Sequence, residues 1–287
     1  MIHAFYHKRI NAAIDFIAVH LHDKLTLEIV ASEAGFSPYH FHRIFKSITG
    51  ETLNQYMKRQ RMEKASKLLR HNTNEEVAAI ASKVGYFSAA NFSRDFKAFY
   101  GVTPLQFRSQ PAIEHEVPKE MKPKTNLLFK GIASLRQELV IYTRIHGGYN
   151  PEIIAPAFEQ LYFFARDQHL LRSDSRFIGI GYDDPDFTPA NKCRYDACMT
   201  VNTKPKLPQD ANFNTKHISG GQYAGFEFTG AKEDFARAWD IIFRDWLIKS
   251  EYLPDDKPHL EIYGPKKQPG DTVFEANLYL PVKPIKK

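Results

Sequence analysis

"FSPYHFHRIFK" spans Phe36–Lys46 and "YFSAANFSRDFK" spans Tyr86–Lys97, and the second stretch is a copy of the first. Ala31, Gly35 and Phe36 correspond to Ala81, Gly85 and Tyr86, fifty residues on. After one inserted residue, Phe41, Arg43, Phe45 and Lys46 correspond to Phe92, Arg94, Phe96 and Lys97. The match continues from Gly50, Thr52, Gln55 and Tyr56 to Gly101, Thr103, Gln106 and Phe107. Each copy reads as a short helix, a glycine-containing turn and a second helix, so the repeat is a duplicated helix-turn-helix unit. The helices are expected at 27–34 and 38–48, then at 76–84 and 89–99. Ser37-Pro38 and Thr103-Pro104 have the form of an N-cap followed by proline at the first helical position.

The two second helices share a face. On 38–48, Phe41, Ile44, Phe45 and Ile48 form the inward stripe, leaving Tyr39, His42, Arg43 and Lys46 outward at helical spacing. On 89–99, Phe92, Phe96 and Phe99 point inward, and Ala90, Ser93, Arg94 and Lys97 take the outward places. An arginine at the centre of such a face can pair bidentately with guanine, and small side chains can meet thymine methyls. The lysine one turn on reaches a phosphate. Residues 52–71 read as one continuous helix of roughly 30 Å, close to the ~34 Å of one DNA turn. It holds the two faces at the separation of two adjacent major grooves of double-stranded DNA. Because the faces differ, the site they read should be asymmetric.

Charge supports a polyanion partner. Residues 1–110 carry 15 Lys+Arg against 9 Asp+Glu, whereas residues 111–287 carry 24 of each, so the whole net charge of +6 lies in the first part. No apolar run approaches the ~20 residues that cross a bilayer, and "MIHAFYHKRI" lacks the apolar core of a secretory signal. Cys193 and Cys198 are expected as reduced thiols of a cytoplasmic protein. The histidines at 3 and 7, 20 and 22, and 40 and 42 lack the further ligands a metal site requires. Neither a metal nor a cofactor is expected.

The sequence divides accordingly: an all-α domain over 1–110, a Pro- and charge-rich linker over 111–124 ("PAIEHEVPKEMKP" lies within Pro111–Pro123), and an α+β domain over 125–287. In the latter, strands are expected at 139–145, 196–201, 223–228, 260–263 and 273–280, with helices at 154–170 and 233–249. A looser repeat runs through it. "IHGGYNPEIIAPAFEQLYFFARDQHLLRSDSRFIGIGYDDP" aligns with "ISGGQYAGFEFTGAKEDFARAWDIIFRDWLIKSEYLPDDKPHLEIYGP", which gives a βαββ unit made twice, with two helices on one face of a sheet. In that alignment Gly179 falls opposite Glu261. Strand parity puts His259, Glu261 and Tyr263 on one face and Leu260 and Ile262 on the other. A carboxylate among core strands is costly unless paired, which makes Glu261 a candidate ligand residue. Tyr263, Trp239, Tyr149 and Tyr279 supply aromatic faces suited to a flat or cationic guest.

Residues 8–110, on the strength of "IVASEAGFSPYHFHRIFKSITGETLNQYMKRQRMEKASKLL" and "VAAIASKVGYFSAANFSRDFKAFYGVTPLQFR", resemble the AraC/XylS DNA-binding domain. The resemblance places Tyr39, His42 and Arg43, and then Ala90, Asn91, Ser93 and Arg94, where family members touch bases. It also implies RNA polymerase as a further partner. Residues 125–284, through "ISGGQYAGFEFTG", "WLIKSEYLPDDKPHLEIYGP" and "ANLYLPV", resemble the GyrI-like ligand-binding domain, and the order of the two domains resembles Rob-type regulators. The resemblance implies a cationic or aromatic small-molecule effector held by a buried glutamate, which Glu261 matches. The expected function is a sequence-specific, DNA-binding transcription regulator and not an enzyme. The alternative is a GyrI-like hydrolase fused to a DNA-binding domain, in which a Glu and a Tyr supply acid–base chemistry. No nucleophile–base–orienter set or phosphate loop is legible to support it.

Overall fold

The computed structural model describes residues 2–71, 75–109, 126–185, 188–208, 211–231, 234–264 and 274–285. The expected linker at 111–124 lies outside them. The chain falls into two compact units: residues 1–115 with the short segments 186–188 and 208–214, and the remainder. No helix among the described residues is long and apolar enough to cross a membrane.

The first unit is helical: α1 (Ile2–Val19), α2 (Leu27–Glu33), α3 (Pro38–Thr49), α4 (Leu53–His71), α5 (Val77–Lys83), α6 (Ala89–Tyr100) and α7 (Pro104–Ser109). The repeat is repeated in its capping. Ser37 accepts from the His40 amide at the start of α3, and Ser88 accepts from the Asn91 amide at the start of α6. Each helix ends on a glycine, Gly50 at φ 72° and Gly101 at φ 78°, a conformation that costs a residue with a Cβ. Thr52 with Gln55, and Thr103 with Gln106, form reciprocal capping boxes ahead of α4 and α7. Each copy has its own core. Ile10, Ile14, Val30, Phe41, Phe45 and Tyr56 fill the first, and Met62, Leu69, Ile80, Phe92, Phe96 and Phe107 the second. Phe99, expected inward, is 38% exposed. Tyr100 takes its place, 4.7 Å from Phe96 and 5.1 Å from Phe107 between ring centroids.

One charged group lies inside the first copy. Arg59 of α4 binds both carboxylate oxygens of Glu51 (Nε to Oε1 3.1 Å, Nη2 to Oε2 2.8 Å) and reaches Glu63 at 3.0 Å; all three residues are buried. Glu51 sits in the turn between α3 and α4, so this cluster fixes the angle at which the linking helix leaves the first reading helix.

The second unit is a nine-stranded antiparallel sheet with helices on one face. Its elements are β1 (Asn126–Leu135), β2 (Glu138–His146), α8 (Pro151–Asp167), β3 (Phe177–Gly181), β4 (Arg194–Thr200), β5 (Asn214–Ile218), β6 (Gly221–Gly230), α9 (Phe235–Ile241, widening into π turns over Ile242–Leu247), β7 (Tyr252–Pro254), β8 (His259–Tyr263) and β9 (Phe274–Pro284). The strand order is β1-β6-β9-β8-β3-β4-β2-β5, with β7 on β9. Its middle is a palindrome. β2-α8-β3-β4 and β6-α9-β8-β9 are the two βαββ copies, and they meet where β3 pairs with β8. The residues paired across that seam include Gly179 and Glu261, the two positions that the sequence alignment set opposite each other. β1, β3, β5 and β7 lie outside the strand segments expected from the sequence, although the βαββ alignment implied a strand at β3. β1 is interrupted by a bulge between Phe129 and Gly131, which spoils its alternation. β5 and β7 are short.

Removing the cation from the buried cluster of the first unit should be costly. Arg59→Met removes the cation shared by the buried Glu51 and Glu63, and should lower stability by about 3–5 kcal/mol in urea melts at neutral pH. Because the residual cost is that of two ionised carboxyls, the loss should shrink as the pH falls through their titration.

Candidate functional site: a two-helix reading surface and a buried carboxyl

α3 presents Tyr39, His42, Arg43 and Lys46 to solvent. α6 presents Ala90, Asn91, Arg94 and Lys97, with Ser93 half-buried. On α3 the central arginine is held ready. Arg43 Nη1 donates to Tyr39 Oη at 2.9 Å, and its guanidinium lies 5.7 Å from the centre of the Tyr39 ring.

The two helices are tied to one frame. On α6, Asp95 accepts from the Tyr86 hydroxyl at 3.0 Å and pairs with Lys58 of α4 at 3.0 Å. Arg61 of α4 donates to the carbonyls of Leu21 and Asp23, each at 3.1 Å. Gly85 has φ 81°, and a Cβ there would stand 2.8 Å from the Leu21 carbonyl. The α1–α2 turn therefore rests directly on the turn of the second copy, and α4 is braced through Lys58, Arg59 and Arg61 of its first half. The 19 residues of α4 give an axis of about 28 Å.

In the sheet unit, Glu261 is 6% exposed and receives three hydrogen bonds. Tyr195 and Tyr263 donate to Oε2 at 2.8 and 2.6 Å, and the Trp239 indole donates to Oε1 at 3.0 Å. All three donors are neutral. The unit's other buried carboxylates, among the described residues, are differently served. Asp196 binds Arg144 through two 2.7 Å bonds and pairs with Lys216, while Asp183 binds Arg194 at 2.6 and 2.8 Å. Burial alone would raise the Asp196 carboxyl, but Arg144 and Lys216 outweigh it and hold the group below the usual carboxylate range. Glu261 has no such cation. Burial pushes its carboxyl up, and the bonds from Tyr263, Tyr195 and Trp239 only partly oppose that.

The oxygens also count protons. Tyr195 Oη and Tyr263 Oη are 2.6 Å apart, so together with Glu261 Oε2 they form a triangle with three short edges. Two phenol protons can fill two edges. With both phenols donating to Oε2, the third edge, between the two hydroxyls, is the one left short of a proton. Burial among neutral donors thus shifts Glu261 toward its protonated form.

Glycines make room for this arrangement. A Cβ at Gly179 would overlap the Tyr195 hydroxyl and lie 2.7 Å from Glu261 Oε2. A Cβ at Gly181 would stand 2.5 Å from His259 Nε2 and 3.3 Å from the Tyr149 hydroxyl. Around the triangle, Phe158 of α8 stands edge-on to Tyr263 at 5.2 Å, Tyr149 edge-on to Tyr195 at 6.1 Å, and His259 lies 4.3 Å from the Trp239 ring. The Tyr149 hydroxyl is pinned by the backbone of Asp183, whose amide donates to it at 2.9 Å.

The structure therefore brings Glu261, Tyr263, Trp239 and Tyr149 of the sequence-predicted set together. It does not bring Tyr279. That residue pairs with Leu260 and Gly225 and packs with Leu260 and Ile262 on the opposite face of the sheet, because it lies one strand away at the other parity. Tyr195 takes part in its stead. The signal was present in "CRYDACMT", but its own strand does not show which face meets β8.

Known proteins resemble both units. Residues 30–110 match a helix-turn-helix domain family, and residues 135–283 match the GyrI-like small molecule binding domain family. The regulatory protein PocR of Salmonella typhimurium is 38% identical over 102 residues, which are 36% of this chain and 33% of PocR. The multiple antibiotic resistance protein MarA of Escherichia coli is 32% identical over 99 residues, 34% of this chain and 77% of MarA. The C-terminal domain of AraT, a response regulator from Geobacillus stearothermophilus, is 32% identical and superposes with a TM-score of 0.35 over 40% of this chain and 94% of that domain.

A carboxyl raised in the folded protein binds its proton more tightly there than in the unfolded chain. Its contribution to stability is complete below the ordinary glutamate range and is lost as the pH rises through the raised folded value. Glu261→Gln, neutral at every pH, should therefore melt higher than the parent at pH 8 and no higher at pH 4. Calorimetric melting across that range checks both the sign and the window.

Proposed function

The chain belongs to the GyrI-like small molecule binding domain family and carries an AraC-type helix-turn-helix domain ahead of that domain, and from this we propose that it is a cytoplasmic transcription regulator whose activity is set by a small cationic, aromatic effector. In this reading the DNA-binding domain takes residues 1–110 and the effector domain residues 125–287. α3 and α6 read two adjacent major grooves through Arg43 and Arg94, with Lys46 and Lys97 on phosphates, and RNA polymerase is the partner that responds. The names of the relatives, a regulatory protein and an antibiotic resistance protein, support both the regulatory role and a drug-like effector.

One observation carries the effector class: Glu261 is buried among aromatic rings and served only by neutral donors. A cationic guest supplies the missing positive charge at a site of low dielectric, while its ring meets Trp239, Tyr263, Tyr195 and Phe158. The chain's own residues then have separate tasks. The two phenols and the indole orient the carboxyl, the glycines of β3 leave space over the floor, and Glu261 gives up its proton as the cation arrives. We read this as binding and not catalysis, because residues 135–283 match a small molecule binding domain family.

Two experiments test this function. Selection of binding sites from random duplexes by the full chain should yield one asymmetric site. Arg43→Ala and Arg94→Ala should each weaken binding to it by about 1–3 kcal/mol and relax opposite ends, while Lys46→Ala weakens all sequences alike. One residue inserted near Lys64 turns the second copy by about 100° and should abolish specific binding. For the effector, the full chain should bind cationic aromatic dyes more tightly as the pH rises and release a proton on binding. Neutral dyes of the same shape should show no such trend. Equal affinity for both kinds at every pH, or no change on Glu261→Gln, would sink the effector assignment.

A further inference from the structure

Phe87 has no task in the core. It is 89% exposed, and it has no ring partner among the described residues. It is also the one residue by which the second copy of the repeat is longer than the first. Tyr86 occupies the place of Phe36, with its ring 5.5 Å from Phe92 and its hydroxyl on Asp95. Ser88 occupies the place of Ser37 as the N-cap. The residue between them could be polar without any loss of packing, yet it is a phenylalanine in water.

Its position explains what it is for. It stands immediately before the N-cap of α6, and Ala89 and Ala90, the first residues of that helix, are exposed as well. The N-terminal end of a reading helix is the part that meets base edges. On α3 the corresponding end carries Tyr39 and His40, whose Oη and Nδ1 join hydrogen bonds with Arg43 and Ser37. On α6 the same two positions carry Ala90 and Asn91, and the exposed Phe87 and Ala89 come ahead of them. A tip that presents a tyrosine hydroxyl and one that presents a phenyl ring with two methyl groups cannot read the same feature of a groove. The apolar feature that a major groove offers is the C5-methyl of thymine.

We propose that Phe87 is a specificity-determining residue of the DNA-reading surface, packing with Ala89 and Ala90 against thymine methyls at the end of the site that α6 reads. This rests on the regulator reading above. It also accounts for how α6 can discriminate with side chains as small as Ala89 and Ala90: the inserted aromatic supplies the reach and area they lack.

The test uses the full chain and the duplex it selects. Each thymine in the α6 half is replaced in turn by deoxyuridine, which removes only the methyl group. At one or two positions the parent protein should lose about fourfold in affinity, the factor that goes with one buried methyl-sized group. Phe87→Ala should bind the parent duplex about tenfold more weakly, and those same replacements should no longer matter to it. Its melting temperature should match that of the parent, since the ring is exposed. Arg94→Ala should still feel the missing methyl groups, which separates the two contacts. The proposal is overturned if Phe87→Ala stays as sensitive to deoxyuridine as the parent, or if no thymine in that half matters. Should Arg43→Ala and Arg94→Ala relax the site in either of those cases, the regulator reading stands and only the role of Phe87 falls. If no preferred duplex emerges from selection, the regulator reading fails and this proposal fails with it.

Discussion

The site of the sheet unit depends on one triangle of oxygens, Tyr195 Oη, Tyr263 Oη and Glu261 Oε2. An ionised carboxylate taken out of water without a cation is expensive enough that such groups pair or neutralise. Asp196 and Asp183 in the same unit take the first course, with Arg144, Lys216 and Arg194 as partners. Glu261 meets only neutral donors, and burial pushes its carboxyl up. The rest of the local structure holds that acid in place. Two phenols meet one oxygen, an indole from α9 fixes the other, and β3 gives up its side chains at Gly179 and Gly181. In the function proposed above, a positive guest would supply the charge that these neutral donors do not.

The helical unit works under a different constraint, rigidity over a distance. Two reading helices discriminate only if their separation and twist are fixed before binding, since ordering them at the moment of contact would subtract from affinity. Ion pairs and backbone contacts provide that order. The Arg59–Glu51–Glu63 cluster sets α4 against α3, Arg61 ties α4 to the α1–α2 turn, and that turn sits on Gly85. In the copied positions of the second half, Glu51 is replaced by Val102 and Tyr56 by Phe107, so the buried charge cluster is particular to the first. The repeat supplies the frame, and residues particular to one copy lock it.

Much of this was legible in the sequence because both units are repeats. The matching Arg43/Arg94 and Lys46/Lys97 gave the outward faces, Ser37-Pro38 gave the start of α3, and the Ser88 cap of α6 emerged only in the structure. Glu261 stood out as a carboxyl at a core parity. What was hidden depended on pairing between distant strands. Tyr279 is aromatic and lies in a predicted strand, but its register on β8 puts it beside Leu260 and so on the wrong face. Tyr195 reaches Glu261 only because β3 lies between β4 and β8 and carries glycine where a side chain would block the way. β1 was missed because its bulge breaks the alternation by which a strand is recognised. In each case local chemistry fixed the element, while neighbours far along the chain decided what the side chain met.

The seam between β3 and β8 shows why the two halves of the sheet unit could not stay alike. Gly179 and Glu261 are equivalent in the repeat and are also direct cross-strand partners, so they lie on the axis that relates the copies. Side chains at directly opposed positions stand about 5 Å apart, and like charges there repel. Two glutamates on this axis would contest one space and could not both ionise. Two glycines would leave a floor with no acid on it. An effector site at the axis must therefore break the symmetry that built it, with one copy contributing the carboxyl and the other its absence. Tyr195 and Tyr263 confirm the division, since both bend toward the single acid, one from a strand of each copy. The space freed at Gly179 is what allows the phenol of the first copy to serve the carboxyl of the second.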